Sequence, residues 1–372
     1  MNDWYCNPAA RGWSSKQAAP AARSFHVSLP GYAPTPLVEL PTVATELGVG
    51  RLLVKDESAR LGLPAFKVLG ASWACKQVLD RKPGAVLVTA TDGNHGRAVA
   101  RMATHFGTTA TVFVPHVMQE EAAGRIVAEG ARVVRVDGDY DQTVRAAAEH
   151  ATADEHRALV QDTAWPGYED VPAWIVEGYE TLVAEVDEAL GCAPDLVVVP
   201  VGVGSLAQAV VAHYRRPGVA HPSVLSVEPD TAACLLTSLA HGAPTSVATG
   251  ATVMAGLNCG TVSSSAWPVL QRGCDAAVAV TDDDALQASS DLKSLDVSSG
   301  ACGAATLAGA RAVLLDSRRR ADLDVPDDAV VVLLSTEGLQ STNAAPARTS
   351  DPDCWTEAGT KDPRQDRAAP AQ

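Results

Sequence analysis

The stretch AVLVTATDGNHGRAVARMATHFGTTATVFVP, residues 85–115, contains two apolar runs separated by a helical pattern. The runs 85–90 and 110–115 are nearly continuous in apolar residues, as expected for strands buried on both faces of a sheet. Between them, residues 95–107 place apolar side chains three and four positions apart and end at Gly107, a suitable residue beyond a last helical turn. This order predicts a parallel strand–helix–strand unit.

The same alternation extends along most of the chain. A second helix is predicted over 141–154, and further buried strands are predicted at 51–55, 131–136, 195–202, 223–229 and 329–336. Alternating strands and helices predict the α/β class, with a parallel sheet covered by helices on both faces. In such sheets ligands bind at the carboxyl ends of the strands, so the loops that follow the strands are the candidates for a site.

Composition limits the possible partners. The 372 residues are 47% hydrophobic and carry a formal charge of -15, from 29 Lys and Arg against 44 Asp and Glu. This charge argues against a nucleic-acid partner. No apolar run is long enough for a membrane span and no secretion signal is recognised at the start, so we expect a cytoplasmic protein without a membrane partner. Eight scattered cysteines without a Cys-x-x-Cys pair predict neither a disulfide framework nor a metal site.

Lys67 stands at the predicted start of a helix, after Phe66 and before the apolar sequence VLGASWA. Desolvation and the positive end of the helix dipole both lower the pKa of an amine in this position, and such a lysine can form an imine. A solvated lysine at a helix start is the alternative interpretation.

The loop TDGN, residues 91–94, joins a strand to a helix. The backbone N–H groups at a helix start suit an anion such as a carboxylate, and the Asn94 amide adds a donor and an acceptor. Asp92 is unexpected beside an anion, although Asp-Gly is also a common turn pair. His95 could equally face solvent at the helix start.

Two further strand ends carry polar groups. Gly202-Val203-Gly204-Ser205 follows a buried strand and opens a helix, which suits one phosphate group. Ala207 replaces the third glycine of a dinucleotide fingerprint, but Glu228 stands near the position of its acidic residue, so a dinucleotide site stays open. Ser335 ends the last predicted strand, where its hydroxyl could form a hydrogen bond with a ring nitrogen or merely cap the backbone at the strand end.

Together and in this order, these segments resemble the fold-type II family of pyridoxal-phosphate enzymes, the group of threonine dehydratase and tryptophan synthase β. The resemblance covers roughly residues 25–340. Within the family, TDGNHGR and DTAW are similar to the branch of ammonia-lyases that act on 2,3-diaminopropionate. The segments that carry the resemblance are AFKVLGAS, TATDGNHGRAVA, QDTAWPGYEDVPAWIVEGYETL, VGVGSLA, VEPDTAACL, MAGLNCGTVSSSAWPVL and LLSTEG.

The resemblance implies two open, mostly parallel sheets flanked by helices, with the active site in the cleft between two domains. It implies a homodimer as well. The expected division is an irregular N-terminal segment (1–30), a larger cofactor-binding domain (31–80 and 190–342) and a smaller domain with the substrate-carboxylate loop (81–189). The Pro-, Asp- and Ala-rich residues 343–372 are expected to form a disordered tail.

The resemblance also implies a role for each matching residue, with pyridoxal 5'-phosphate as the cofactor. Lys67 would form the Schiff base and Asp92 would be a second acid/base group on the opposite face of the substrate. Asp162 would assist the departing β-ammonium or orient Asp92. The expected cofactor-binding residues are Lys67, Asn94 at the ring hydroxyl, Ser335 at the pyridine nitrogen, and Gly202, Val203, Gly204, Ser205 and Leu206 at the phosphate. The expected substrate-binding residues are Thr91, Gly93 and His95.

The implied reaction is α,β-elimination of D- or L-2,3-diaminopropionate to pyruvate and two ammonia. One departure concerns the substrate, because Ser298 stands where an acidic residue is usual before Ser-Gly-Ala. The alternatives are a dehydratase, lyase or β-replacement enzyme acting on another β-substituted alanine, such as serine or threonine, and a non-catalytic ligand-binding protein. A nicotinamide dehydrogenase is a distant alternative, since it would leave Lys67 and Asp92 unexplained.

Overall fold

The computed structural model describes residues 3–15, 21–91 and 93–339. Over these residues eleven strands form two sheets. The strands are β1 (Trp4–Cys6), β2 (Leu37–Glu39), β3 (Arg51–Asp56), β4 (Val86–Ala90), β5 (Ala110–Pro115), β6 (Arg132–Val136), β7 (Arg157–Leu159), β8 (Leu196–Pro200), β9 (Ser223–Pro229), β10 (Ala276–Val280) and β11 (Val330–Ser335).

The larger sheet has seven strands in the order β1-β10-β9-β8-β11-β3-β2. Its inner pairs are parallel, and only the edge strands β1 and β2 run antiparallel to their neighbours. The smaller sheet, in the order β6-β5-β4-β7, is parallel throughout. The predicted architecture of two open, mostly parallel sheets is therefore confirmed.

Thirteen α-helices of the described chain cover the sheets. They are α1 (Ala22–Ser28), α2 (Pro41–Leu47), α3 (Lys67–Arg81), α4 (Asn94–His105), α5 (Glu120–Ala128), α6 (Tyr140–Thr152), α7 (Asp170–Leu190), α8 (Ser205–Tyr214), α9 (Cys234–His241), α10 (Trp267–Gly273), α11 (Asp282–Ser294), α12 (Ala301–Leu314) and α13 (Ser317–Asp322). Three short 3-10 helices occupy Ala10–Gly12, Asp230–Ala232 and Ala255–Leu257. None of the helices in these parts of the chain combines the length and apolar character that crossing a membrane requires.

The seven predicted strands all form, and all of them are mostly buried except β6, in which two of the five residues are buried. Every residue of β5 and of β8 is buried, which is the reason that these strands read as continuous apolar runs rather than as alternating ones. The two predicted helices correspond to α4 and α6. Gly107 follows the end of α4 with φ +70°, a left-handed backbone that glycine adopts without strain.

The N-terminal segment differs from the expectation of an irregular chain over 1–30. β1 pairs antiparallel with β10 across Trp4 and Val278, and α1 buries His26 against two helices of the core. Three-residue strands and seven-residue helices are too short to leave a local periodic pattern. These short elements are stabilised by tertiary contacts, which cannot be predicted from the local sequence.

Candidate active site

The candidate site lies at the carboxyl ends of strands from both sheets, where the helices that follow these strands begin. α4 begins directly after the loop that follows β4, and α8 begins after the loop that follows β8. Hydrogen bonds also join residues distant in sequence here, from Lys67 at the start of α3 to Asp162 after β7, and from Asn94 at the start of α4 to Glu337 after β11. Apart from Asp92, which lies outside the described residues, the predicted site residues lie at helix starts or at the carboxyl ends of strands.

Lys67 is the first residue of α3, as the sequence predicts, and forms an ion pair. Its Nζ donates to Asp162 Oδ2 at 2.7 Å. The Asp162 side chain is buried, which opposes its ionisation, but the charges of Lys67 and His95 and the hydrogen bonds to the carboxylate together outweigh burial and hold the pKa of this carboxyl well below its ordinary value. The pair places a lysine amine and a carboxylate within hydrogen-bond reach at a partly exposed position.

Two glycines allow α3 and α7 to pack closely and so fix the position of Lys67. A Cβ on Gly178 of α7 would lie 2.5 Å from the carbonyl oxygen of Leu69, and a Cβ on Gly70 of α3 would lie 2.5 Å from Tyr179 Cε1. The ring of Tyr179 packs on Phe66 with centroids 4.7 Å apart. Larger residues at either glycine would push the helix that carries the lysine outward.

Thr91 organises the loop that precedes α4. Its Oγ1 accepts from the N–H groups of Gly93, at 2.9 Å, and of Gly96, at 3.1 Å. The Gly93 N–H is thus held by the loop itself, so its predicted role toward a substrate carboxylate requires a rearrangement. Asp92 lies outside the described residues.

His95 points inward and does not face solvent, so that alternative interpretation of the sequence is wrong. Its side chain is buried, and Nε2 lies 2.8 Å from the carbonyl oxygen of Val160. Val160 lies two residues before Asp162, whose pKa the charge of His95 also lowers after the larger effects of burial and Lys67. The imidazole therefore connects the start of α4 to the segment that carries Asp162.

The loop after β8 forms the predicted cradle at the start of α8. Gly204, the residue before the helix, has φ +98° and no side-chain capping hydrogen bond. First-turn N–H groups without a side-chain cap suit an anion. The hydroxyl of Ser205 donates to the carbonyl oxygen of Asp162 at 3.1 Å, and Leu206 is buried behind it. The cradle is thus directly bonded to the Lys67–Asp162 pair.

Backbone contacts hold the first half of this loop. The carbonyl oxygen of Val203 accepts from the Ser263 N–H at 2.9 Å, and that of Gly202 accepts from the Cys234 thiol at 3.6 Å. A Cβ on Gly202 would lie 3.0 Å from the Gly256 carbonyl oxygen. The seven cysteines that the structure describes form no disulfide.

Glu228 is not available to a dinucleotide ribose. It is fully buried, and its two carboxyl oxygens accept from the N–H groups of Leu235 and Leu236, both at 2.7 Å. Burial raises the pKa of Glu228 to about 7, which these hydrogen bonds partly offset. Its carboxyl group accepts from the N–H groups of the first turn of α9. It therefore cannot bind a ribose, and the dinucleotide interpretation has no acidic residue to support it.

Ser335 ends β11 and is fully buried. Its hydroxyl donates to the hydroxyl of Ser299 at 2.8 Å. A Cβ on Gly303, in the first turn of α12, would lie 2.8 Å from both hydroxyl oxygens. The neutral hydroxyl at this strand end therefore has a second hydroxyl as its partner, Ser299, which the sequence analysis did not single out.

Glu337 is the site carboxylate that sequence reasoning missed. Its Oε2 accepts from Asn94 Nδ2 at 2.7 Å, and a Cβ on Gly300 would lie 3.1 Å from its Oε1. Burial raises the pKa of Glu337, and hydrogen bonds from Cys302 and Asn94 act in the opposite direction. Its position two residues after Ser335, at a strand end, is the signal that could have identified it.

This donor set fits pyridoxal 5'-phosphate. A helix start without a side-chain cap behind a glycine-rich loop suits the phosphate, a lysine amine suits the aldehyde, and a buried hydroxyl suits the pyridine nitrogen. The structure joins the first two of these features by direct hydrogen bonds through Asp162. The buried hydroxyl of Ser335 lies at the end of the larger sheet, beside the start of α12.

Known proteins share both the sequence and the fold. The chain is 36% identical over 361 residues to diaminopropionate ammonia-lyase of Escherichia coli K12, covering 87% of this chain and 89% of the relative. Crystal structures of the Escherichia coli enzyme in complex with an aminoacrylate-PLP azomethine reaction intermediate and with D-serine both superpose with a TM-score of 0.81. Their sequence identities are 34% and 33%, and each alignment covers 90% of this chain and 93% of the solved one.

The family comparison covers most of the described residues. The sequence profile of the family described as "Pyridoxal-phosphate dependent enzyme" matches residues 28–337, a range that includes every predicted site residue. The lysine, the cradle and the strand-end hydroxyl all lie within this range. The chain therefore belongs to the pyridoxal-phosphate dependent enzymes.

Proposed function

We propose that this enzyme catalyses the α,β-elimination of 2,3-diaminopropionate to pyruvate and two ammonia. The observation that carries the proposal is the Lys67–Asp162 pair, an amine and a carboxylate held at 2.7 Å beside the cradle. A buried carboxylate suits a cationic leaving group such as a β-ammonium. Similarity over 87% of the chain to an enzyme of that name supports the same substrate class.

The residues divide between cofactor and substrate. When bound, the cofactor withdraws electrons from the substrate Cα and makes its proton acidic. We assign Lys67 to the Schiff base and to proton abstraction on one face of Cα. The remaining cofactor contacts are assigned to Asn94, Ser335, Gly202, Val203, Gly204, Ser205 and Leu206.

The substrate side is assigned to the loop at the start of α4 and to Asp162. Thr91, Gly93 and the backbone N–H of His95 would hold the substrate carboxylate once the Gly93 N–H leaves Thr91 Oγ1, and Asp92 would exchange a proton on the face opposite Lys67. Asp162, as an ionised carboxylate, would hold the β-ammonium, which leaves as neutral ammonia when the Cβ–N bond breaks. Two acid/base groups on opposite faces would allow both D- and L-substrates to react.

A neutral leaving group is the second candidate. Ser298 stands where related lyases usually have an acid, and its hydroxyl accepts from the Leu339 N–H at 3.1 Å. A hydroxyl in place of an acid at position 298 would favour a substrate with an uncharged β-substituent, such as serine or threonine, over a substrate with a cationic one.

We further propose a larger domain over 31–80 and 190–342, a smaller domain over 81–189, a homodimer and a cytoplasmic location. The two sheets support the domain division, since β4 to β7 all lie within 86–159. The family resemblance supports the dimer, and the acidic composition is compatible with the cytoplasm.

The test is pyruvate release from D- and L-2,3-diaminopropionate, serine and threonine. We expect the highest kcat/KM on one or both isomers of diaminopropionate. The purified protein is expected to be yellow, and Lys67→Ala should remove both the visible absorption and the activity. A clear preference for serine or threonine would favour the second candidate, and a protein that stays colourless after addition of the cofactor would refute both.

A further inference from the structure

Glu337 belongs to the segment 335–338 after β11, of which the proposed function uses only the first residue. The backbone of this segment is fixed on both sides of the glutamate, because the Thr336 carbonyl oxygen before it accepts from the Phe66 N–H at 3.1 Å. The Glu337 carbonyl oxygen accepts from the Gly300 N–H at 3.0 Å, and the Gly338 N–H donates to the Pro64 carbonyl oxygen at 3.0 Å. The direction in which the Glu337 side chain leaves the backbone is therefore well determined.

The carboxylate crosses from one sheet to the other. Glu337 follows a strand of the larger sheet, and Asn94 begins the helix that follows a strand of the smaller sheet, 243 residues away in sequence. Their side chains meet at 2.7 Å. Asp162 accepts from Lys67 instead, so the two acids have different hydrogen-bond partners, while the charge of Lys67 also lowers the pKa of Glu337 against the larger effect of burial.

A carboxylate selects one orientation of an amide. An asparagine side chain can turn over and exchange its oxygen for its nitrogen at little cost, because both ends form hydrogen bonds. The Glu337 Oε2 accepts from the Asn94 nitrogen, and in its ionised form this carboxylate can only accept, so it holds that nitrogen toward itself. One N–H and the Oδ1 of Asn94 then remain for the site, in a fixed arrangement.

We propose that Glu337 is a positioning residue that fixes the Asn94 amide at the cofactor ring and links the end of β11 to the start of α4. The inference rests on the proposed function in one respect, namely that Asn94 faces the ring hydroxyl. It assigns no contact between Glu337 and the substrate. Glu337 acts through Asn94, and its effect should vanish when Asn94 is removed.

The test is a double-mutant cycle on cofactor binding. The wild-type protein and its Glu337→Ala, Asn94→Ala and doubly substituted variants are stripped of cofactor and titrated with pyridoxal 5'-phosphate, and Kd and the visible absorption maximum are measured. Because a hydrogen bond to a charged group contributes about 1.5 kcal/mol or more, we expect each single variant to raise Kd about ten-fold. The double variant should resemble Asn94→Ala within about two-fold.

Conservative variants separate positioning from folding. In Glu337→Gln the new amide can both donate and accept, so the orientation of Asn94 is no longer selected, and we expect a shifted absorption maximum and a smaller increase in Kd. Glu129→Gln is the matched control. Glu129 accepts from Arg97 at 2.9 Å and from Arg101 at 2.6 Å, and both arginines lie on α4, the helix that begins at Asn94. It should lower Tm but leave Kd and the absorption maximum unchanged.

Two results would overturn the inference. One is an additive cycle, in which Glu337→Ala weakens cofactor binding equally with and without Asn94. The other is a Glu337→Gln protein that folds and has the Kd and absorption maximum of the wild type. Failure of the proposed function is a different result: a wild-type protein that binds the cofactor but releases no pyruvate from diaminopropionate, for which the cycle on Kd still decides the role of Glu337.

Discussion

His26 is buried as an uncharged imidazole between three helices, which makes stability depend on pH. In α1, its Nε2 lies 2.9 Å from the carbonyl oxygen of Leu69 in α3, and its Nδ1 lies 2.8 Å from Thr181 Oγ1 in α7. A carbonyl oxygen can only accept, so Nε2 carries the hydrogen and Nδ1 accepts from the threonine hydroxyl. Both ring nitrogens are satisfied in the neutral form, and a second ring proton would displace the Thr181 hydrogen.

The size of the effect follows from the pKa of His26. Burial lowers this pKa from 6.5 to about 4, and the positive charge of Arg60 adds to the effect. Since the unfolded chain binds this proton more readily, the contribution of His26 to stability is fully present above pH 6.5 and is lost as pH falls toward 4. A difference of about 2.5 pKa units corresponds to about 3 kcal/mol of unfolding free energy.

Urea unfolding of the wild type and of His26→Gln, from about pH 7.5 to about pH 4.5, measures this contribution. The glutamine retains a donor for the Leu69 carbonyl but does not titrate. The stability difference between the two proteins should shrink by up to about 1.4 kcal/mol per pH unit below pH 6. Taking the difference between the two proteins cancels the contributions of other titrating groups. One of these is Glu228, whose raised pKa makes its contribution to stability change with pH in the opposite direction. Parallel stability curves for the two proteins would refute the reasoning.

Three substitutions in and near the site give further expected outcomes. Asp92→Asn should abolish activity on D-2,3-diaminopropionate selectively, and equal losses on both isomers would contradict the two-base proposal. Asp162→Asn should lower kcat on diaminopropionate about 100-fold or more but affect serine less, because only the ammonium needs the carboxylate; equal losses would assign Asp162 to Lys67 alone. Gly96→Ala would place a Cβ 2.3 Å from Thr91 Cγ2 and should cost about 1–3 kcal/mol in thermal unfolding, whereas Gly124→Ala, in open space on α5, should not destabilise.

The strands and helices that build the core could be predicted because their signals are local. β5 and β8 are continuous apolar runs of five or six residues, and α4 has its apolar positions on one face and Gly107 after its end. The three-residue strands β1, β2 and β7 leave no such pattern. β10 has the alanine-rich sequence AAVAV, which does not distinguish a buried strand from a helix.

The chemical character of the site was also present in the sequence, since Lys67, Asn94, Gly202, Ser205 and Ser335 all stand at strand ends or helix starts. Residue type and position relative to an element are properties of a short segment. Such properties predict that an amine, an amide, a phosphate loop and a hydroxyl occur at the edge of a sheet. They do not say which side chain bonds to which.

Only the tertiary structure decided those pairings. Lys67 meets Asp162 across 95 residues, and Asn94 meets Glu337 across 243. The His95 imidazole points inward to the Val160 carbonyl oxygen. The Ser335 hydroxyl donates to the Ser299 hydroxyl, because the glycine at position 303 leaves room for both. The physical reason is that a side chain's partner depends on how the sheets and helices pack, and packing is set by contacts between segments distant in the chain. The sequence alone determined the longer core elements and the cofactor chemistry, and the packing of the two sheets determined which acids face which bases.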